Sequence, residues 1–462
     1  MIYIIIGIAA ILFIFWIFKE EAPDHTYNAS FGSNSDHLSR FNQGFSLGAK
    51  ALTKKVSETN CALFGPTGSG KSSSVIISSA VSLARGKSSI IFNDVSGEIW
   101  ENTSGFLSSK GYTCLRLNFS DPEHSESFNP LAYCHTISDI QKLALIVIRN
   151  SVGENKSDPF WENSSMMLLS LMARYLVFHA APEFRTMQNV LRMVEKFSFD
   201  GPAIDKLFSR TNNDEILNSY KATVVMPDKT LQSVISTLRT SLSLWIDPAV
   251  CITTATNTID LNMLREKPVA IYLNTPLKDL MYYKPISALF IQTLFNHVMA
   301  KIPGKDARSI FFVVDEFGIY QFPSFTTTIS NIRKFKSGIL LCVQDEMALI
   351  SKYGQADAHQ IKTNCGCHIF LKGQPLSTCK DLSQILGRYT YEKNNSEKTR
   401  ELLTPDEIRM CEDAIVLIGN KAPLMCKMVP HYKNIWIRRF TQMPPLESQN
   451  TLSITTPPLI QF

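Results

Sequence analysis

The chain has 462 residues, 45% hydrophobic and 19% charged, with a formal net charge of +5. That length accommodates one large α/β domain with an insertion, or two domains, and either buries an ample core. The composition is that of an ordinary globular protein, and the mild positive balance permits a nucleic-acid partner without arguing for one.

Residues 1–18, MIYIIIGIAAILFIFWIF, carry no charge. As a helix they would span about 27 Å, close to the hydrocarbon thickness of a bilayer. A buried core helix or a cleaved signal peptide are the alternatives. A signal peptide opens on a basic stretch and ends at small residues, whereas this run opens at Met1 and ends at Phe18-Lys19-Glu20-Glu21. The reading is an uncleaved transmembrane anchor over 1–18. Residues 19–45, rich in Ser, Asn and Gly, read as a linker.

From Asn60 the pattern is strand, glycine turn, helix: CALF, GPTGSGKS, then SSVIISSAVSLARG. Gly65 to Ser72 satisfies G-x-x-x-x-G-K-[ST] in the strand-to-helix context that gives the motif its meaning. Gly65, Gly68 and Gly70 let the backbone wrap closely around phosphates where a Cβ would clash. The loop Gly65-Pro66-Thr67-Gly68-Ser69-Gly70-Lys71-Ser72-Ser73 then presents amides and a helix N-terminus to an anion. Lys71 is expected to reach the β- and γ-phosphates and the Ser72 hydroxyl to bind Mg²⁺, so the pattern predicts ATP and Mg²⁺ as ligands.

SSIIFND (88–94) reads as a buried strand and YTCLRLNF (112–119) as an alternating one. Asp94, at a strand end before Gly97-Glu98, either approaches the metal or caps the next helix. Between Ser138 and Asn262 apolar residues recur at helical spacing, as in DIQKLALIVIRNSV and TLQSVISTLRTSLSLWI. This predicts an all-α insertion over 138–262. Strands resume with PVAIYLN (268–274), SIFFVVDE (309–316), GILLCVQ (338–344), HIFLKG (368–373) and DAIVLIGN (413–420). Alternation of strands and helices indicates a mostly parallel, twisted sheet, with the nucleotide-binding body over 46–137 and 263–440. Residues 441–462, rich in Pro, Ser and Thr, read as disordered.

SIFFVVDE ends in Asp315-Glu316 at the edge where α/β sheets hold their ligands. Asp315 suits the Mg²⁺ shell and Glu316 the base that polarises the attacking water. Gln344 closes the next strand, where an amide both donates to a γ-phosphate oxygen and accepts from water, or is simply a polar strand end. Arg333 is either a solvated surface residue or a cation offered to a neighbouring subunit's site. The short pairs Lys54-Lys55 and Arg438-Arg439 read as solvated faces or anchors rather than as a nucleic-acid reader. The ten cysteines are scattered, the pair Cys365–Cys367 has the wrong spacing for a zinc knuckle, and they read as reduced, buried thiols.

These motifs, in this order, resemble the type IV secretion coupling proteins of the TraG/TraD family. The resemblance covers 45–425 and rests on GPTGSGKSS, SGE, SFNPLA (127–132), DPFWENSS (158–165), LQSVISTLRTSLSLWIDPAV (231–250), VVDEFG (313–318), VQDEMALISKYG (343–354), IKTNCGCHIFLKG (361–373) and LLTPDEIR (402–409). It implies a RecA-like P-loop NTPase with a helical insertion that takes part in substrate recognition. It further implies a homo-hexameric ATPase of the bacterial inner membrane, here single-pass, with the bulk of the chain cytoplasmic. Such proteins receive relaxase bound to single- or double-stranded DNA, or protein effectors, and pass them to the channel through its inner-membrane components. By position, Gln344 is then the glutamine sensor and Arg333 falls where the arginine finger is expected, with Lys334 and Lys336 adjacent. The chain departs from the family in showing one apolar N-terminal run instead of two, in Ser96 where D-x-K-G-E has lysine, and in Ile319-Tyr320 where DEFG is usually followed by LG. Two rivals share parts of this reading. A DNA translocase of the FtsK/HerA kind would lack the insertion, and a non-catalytic nucleotide-binding receptor would not need Glu316.

Overall fold

The computed structural model describes residues 28–34, 37–151, 159–211, 213–393, 396–447 and 456–462. The apolar runs become a nine-stranded sheet: β1 (Cys61–Phe64), β2 (Ser89–Asp94), β3 (Thr113–Leu117), β4 (Val269–Asn274), β5 (Ile310–Val314), β6 (Ser337–Val343), β7 (Cys367–Phe370), β8 (Ala414–Ile418) and β9 (Leu424–Cys426). Their spatial order is β9-β8-β7-β1-β6-β5-β2-β4-β3. The seven strands from β7 to β3 are mutually parallel, while β8 runs antiparallel to β7 and β9 antiparallel to β8. Every residue of β1, β2, β4, β5 and β6 is buried, as expected of parallel strands covered on both faces.

Alternating side chains feed two cores. Phe311, Val313 and Leu340 face α1 (Ile77–Arg85) and α2 (Glu98–Ser109). Phe312, Val314 and Leu341 face the other way, into a core shared with the helical insertion. Between β3 and β4 the chain leaves the sheet as α3 (Ile137–Ser151), α4 (Pro159–His179), α5 (Met187–Phe199), α6 (Gly201–Ser209), α7 (Asp214–Val224) and α8 (Asp228–Ser241). A neck ties its two ends: Phe128 N–H donates to the Thr253 carbonyl at 2.8 Å, and Thr258 N–H to the Ser127 carbonyl at 3.1 Å. Asn129 adds a side-chain bond to the Ala255 carbonyl at 3.1 Å, which gives the SFNP stretch its structural purpose. α3 packs on α9 (Leu280–Met299), the helix that follows β4, so insertion and sheet share one apolar interior.

Two expectations need correction. Within the stretch read as a linker, Leu38–Ser39 is a strand, and with Ser46–Leu47 and Lys50–Leu52 just beyond that stretch it forms a three-stranded antiparallel sheet. Phe45 is fully buried beside Phe311, ring centroids 5.3 Å apart, and Asn34 Nδ2 donates to the Met425 carbonyl at 3.0 Å. Within the stretch read as disordered, Leu446 N–H donates to Ser104 Oγ at 2.9 Å, and residues 456–462 lie against α5 with Ile460 buried. In both, sparse apolar residues embedded in polar sequence find pockets made by distant parts of the chain. A hairpin, Arg388–Lys393 with Ser396–Glu401, also escaped the sequence reading because, Tyr389 and Tyr391 apart, its residues are polar or charged. The anchor expected over 1–18 lies outside the described residues; among those described, no helix is long and apolar enough to cross a membrane.

Candidate nucleotide site

The C-terminal ends of β1, β2, β5 and β6 open on one edge of the sheet, where parallel α/β folds bind ligands. The loop after β1 is held at its root. Gly65 N–H donates to the Val343 carbonyl at 3.1 Å, and Gln374 Nε2 donates to the carbonyls of Phe64 at 3.0 Å and Leu371 at 2.7 Å. A Cβ on Gly65 would stand 2.5 Å from Ser69 Oγ and 3.1 Å from Leu371 Cδ1, so a side chain there would force both neighbours to shift. At the far end Gly70 adopts φ +95° and caps the helix, a conformation that glycine alone takes at little cost. The helix begins as a π turn over Lys71–Ile76 and continues as α1. Its first amides have no intrahelical acceptor, and with the helix dipole they face an anion site.

Within this loop Lys71 is buried. Its ammonium donates to the Gly65 carbonyl at 2.7 Å and lies 4.0 Å from Glu316 Oε1, which brings the end of β5 to the glycine loop. Ser69 Oγ is buried and has no hydrogen-bond partner among the described residues. Ser72 and Ser73 are half-buried in the first helical turn, while Thr67 and Gly68 form the exposed crest.

Asp315 follows β5, and burial, helped by the neighbouring Glu316 and opposed by Lys71, pushes its carboxyl up to about 7. Glu316 N–H donates to Asp315 Oδ1 at 3.1 Å, and Glu316 itself sits at φ +52°, a left-handed backbone in a residue that has a Cβ. Asn93 Nδ2 donates to the Asp315 carbonyl at 2.6 Å, and the buried Tyr320 hydroxyl donates to Asn93 Oδ1 at 3.0 Å. Tyr320 and Asn93 therefore position the Asp315–Glu316 turn, which gives the Ile319-Tyr320 departure a structural role. Sequence reading missed Asn93, Tyr320 and Gln374. The only signal was a polar residue, Asn93, inside an apolar run.

Asp94 resolves in favour of the cap. Its two carboxylate oxygens accept from the amides of Ile99 at 3.2 Å and Trp100 at 2.8 Å, at the start of α2. Burial raises this carboxyl to about 6 although the amides pull it down. Gln344 is exposed at the end of β6, the strand between β1 and β5. Arg333 is not brought to this site: it lies exposed in the turn Ile332–Phe335 before β6, whereas the glycine loop is at that strand's other end. All ten cysteines are free and eight are buried, and burial pushes the thiols of Cys61, Cys342 and Cys365 upward.

The donor set fits a magnesium nucleotide. A buried cation, a helix N-terminus and the unpartnered Ser69 hydroxyl suit phosphate, and the Ser72 hydroxyl with the Asp315 carboxylate offers the hard oxygen ligands Mg²⁺ prefers. Fold and site together define an α/β P-loop nucleotide-binding architecture. The family profile described as "Type IV secretory system Conjugative DNA transfer" matches residues 28–456, and the chain belongs to that family of coupling proteins. It is 25% identical over 404 residues to protein VirD4 of Rhizobium rhizogenes, covering 81% of this chain and 58% of that protein. It is 22% identical over 391 residues to the conjugal transfer protein TraG of Escherichia coli, covering 74% of this chain and 60% of TraG. The chain thus spans about three-fifths of the length of the curated relatives it matches. Among solved structures, the plasmid coupling protein TrwB in complex with the ATP analogue ADPNP superposes with a TM-score of 0.70 at 15% identity, covering 90% of this chain and 97% of that one. TrwB with ADP and Mg²⁺ gives 0.68 at 14%, covering 89% and 96%.

Proposed function

We propose that the chain is a membrane-anchored ATPase of a type IV secretion or conjugation system. It assembles as a homo-hexamer, takes up relaxase–DNA or protein cargo, and couples ATP hydrolysis to delivery toward the channel's inner-membrane components. The observation that carries the catalytic part is the 4.0 Å approach of Lys71 to Glu316, which joins the glycine loop to the acidic end of β5. Membership of the coupling family supports the cargo part, and the helical insertion favours a coupling protein over a plain DNA translocase. TrwB structures with ADPNP and with ADP and Mg²⁺ support the choice of ligand.

Gly65 to Ser73 bind the phosphates, with the helix amides and Lys71 offsetting their charge. Ser72 and Asp315 hold Mg²⁺, which when bound neutralises charge developing on the β- and γ-oxygens. Glu316 accepts the proton of the attacking water. Gln344 orients that water against the γ-phosphate, and Arg333 serves the site of a neighbouring subunit. The test is ATP turnover by the full chain in detergent, with and without single-stranded DNA, against Lys71→Ala. A loss of about 10²-fold or more is expected, the scale on which preorganised charge acts. Equal turnover by the two proteins would overturn the catalytic reading.

A further inference from the structure

Residues 456–462, Thr-Pro-Pro-Leu-Ile-Gln-Phe, lie along one face of α5 without regular secondary structure. Asn189 is fully buried, and its carboxamide makes both halves of a peptide's hydrogen bonding. Nδ2 donates to the Pro458 carbonyl at 3.0 Å, and Oδ1 accepts from the Ile460 N–H at 3.0 Å. One turn further along, Arg192 Nε donates to the Ile460 carbonyl at 3.1 Å. The Ile460 side chain is buried, and the Phe462 ring lies under the Arg192 guanidinium and the Lys196 ammonium, each 5.6 Å from its centroid.

Positions 189, 192 and 196 share one helical face, and the seven-residue rise of about 10 Å is close to the reach of roughly 13 Å of four extended residues. The segment therefore runs along the helix in register, its backbone read by side chains, with Pro457 and Ile460 buried and Leu459 left exposed. Pro457-Pro458 presets an extended backbone and lowers the entropy lost on docking. Asn189 Oδ1, buried in the helix face, owes its hydrogen bond to this segment. A buried amide acceptor is costly without a partner, so this face is built around a peptide backbone.

We propose that the helical insertion carries a groove for an extended peptide of this chemistry: paired prolines, a buried aliphatic two places on, then an aromatic under two cations. Residues 456–462 are its resident occupant, and an incoming peptide of the same kind must displace them. Groove and occupant involve no nucleotide, so the inference stands or falls apart from the ATPase reading.

The test is fluorescence anisotropy of a labelled synthetic TPPLIQF peptide titrated with three proteins: the complete chain, the chain shortened to residue 455, and the complete chain carrying Ile460→Asp. The shortened and Ile460→Asp chains should bind the peptide. The complete chain should bind about tenfold more weakly or worse, because a tethered occupant competes at high effective concentration. A TPPLDQF peptide should bind none of them, and Lys71→Ala in the shortened chain should leave binding unchanged. Equal affinity for complete and shortened chains overturns self-occupancy. Failure of both opened proteins to bind, whether or not their melting temperatures fall, overturns the groove and leaves the segment a structural strap.

Discussion

Glu316 combines a left-handed backbone, φ +52° and ψ +42°, with a side chain 4.0 Å from Lys71. A non-glycine residue there costs on the order of 1 kcal/mol or more, and such strain persists only where the surroundings impose it. The Asn93–Tyr320 pair is the local restraint. Glu316→Gly should therefore melt no lower than the parent chain and yet lose ATP turnover. A Glu316→Gly protein that keeps turnover would remove this residue from the chemistry. Asp94 and Asp315 give the site a pH signature. Both are raised by burial, to about 6 and about 7, from an ordinary carboxylate value of 3.8. The folded state thus holds their protons more tightly than the unfolded chain does, and their contribution, fully present below about pH 4, is lost as pH rises through 6 and 7. In EDTA the melting temperature should fall across that window. Asp94→Asn and Asp315→Asn should each flatten the fall, because neither amide ionises. Added Mg²⁺ should counter it in the parent by favouring ionised Asp315, and should have less effect in Asp315→Asn.

Elements divide by how locally their evidence is written. The glycine loop, β5 with Asp315-Glu316, and β6 with Gln344 were legible because each is an unbroken apolar run ending in a polar residue, and sheet order alone brings those ends together. The three-stranded sheet over residues 38–52 was not legible. Its strands are two or three residues long, and what holds them is far away in the chain: Phe45 against Phe311, and Ser46 N–H on Ser79 Oγ at 2.8 Å. Asn93 and Tyr320 were hidden for the same reason, since they meet across 227 positions. The segment 456–462 is an extreme case, its hydrogen-bond partners on α5 lying some 270 positions back. If the small sheet is a clamp on the nucleotide-binding core, Phe45→Ala should cost about 3–5 kcal/mol, the usual result of emptying an aromatic pocket. Limited proteolysis around residue 45 should accelerate and the melting temperature should drop. Unchanged melting would make the sheet an independent appendage.

At the scale of the whole molecule, insertion and nucleotide-binding sheet share one core through α3 and α9, so removing 138–262 outright would expose apolar surface in both halves. The proposed cargo recruitment is better probed by surface substitutions on the insertion. The assembly has a cleaner test in Arg333. β6 is seven residues long, and Arg333 precedes it while the glycine loop lies beyond its other end. At about 3.3 Å per residue that separation is roughly 23 Å, well beyond the reach of an arginine side chain to its own site. If Arg333 contributes to hydrolysis, it does so at another subunit's nucleotide, and the two halves of one active site then belong to different chains. Lys71→Ala keeps the arginine and loses the phosphate ligand; Arg333→Ala does the reverse. Each alone should turn over slowly. Mixed one to one and allowed to exchange subunits, they should regain activity at the interfaces that pair an intact glycine loop with an intact arginine, about a quarter of those in a ring closed by head-to-tail contacts. No recovery, with exchange confirmed by tagged subunits, would exclude Arg333 from the neighbouring site. An Arg333→Ala chain with full turnover would exclude it from hydrolysis altogether.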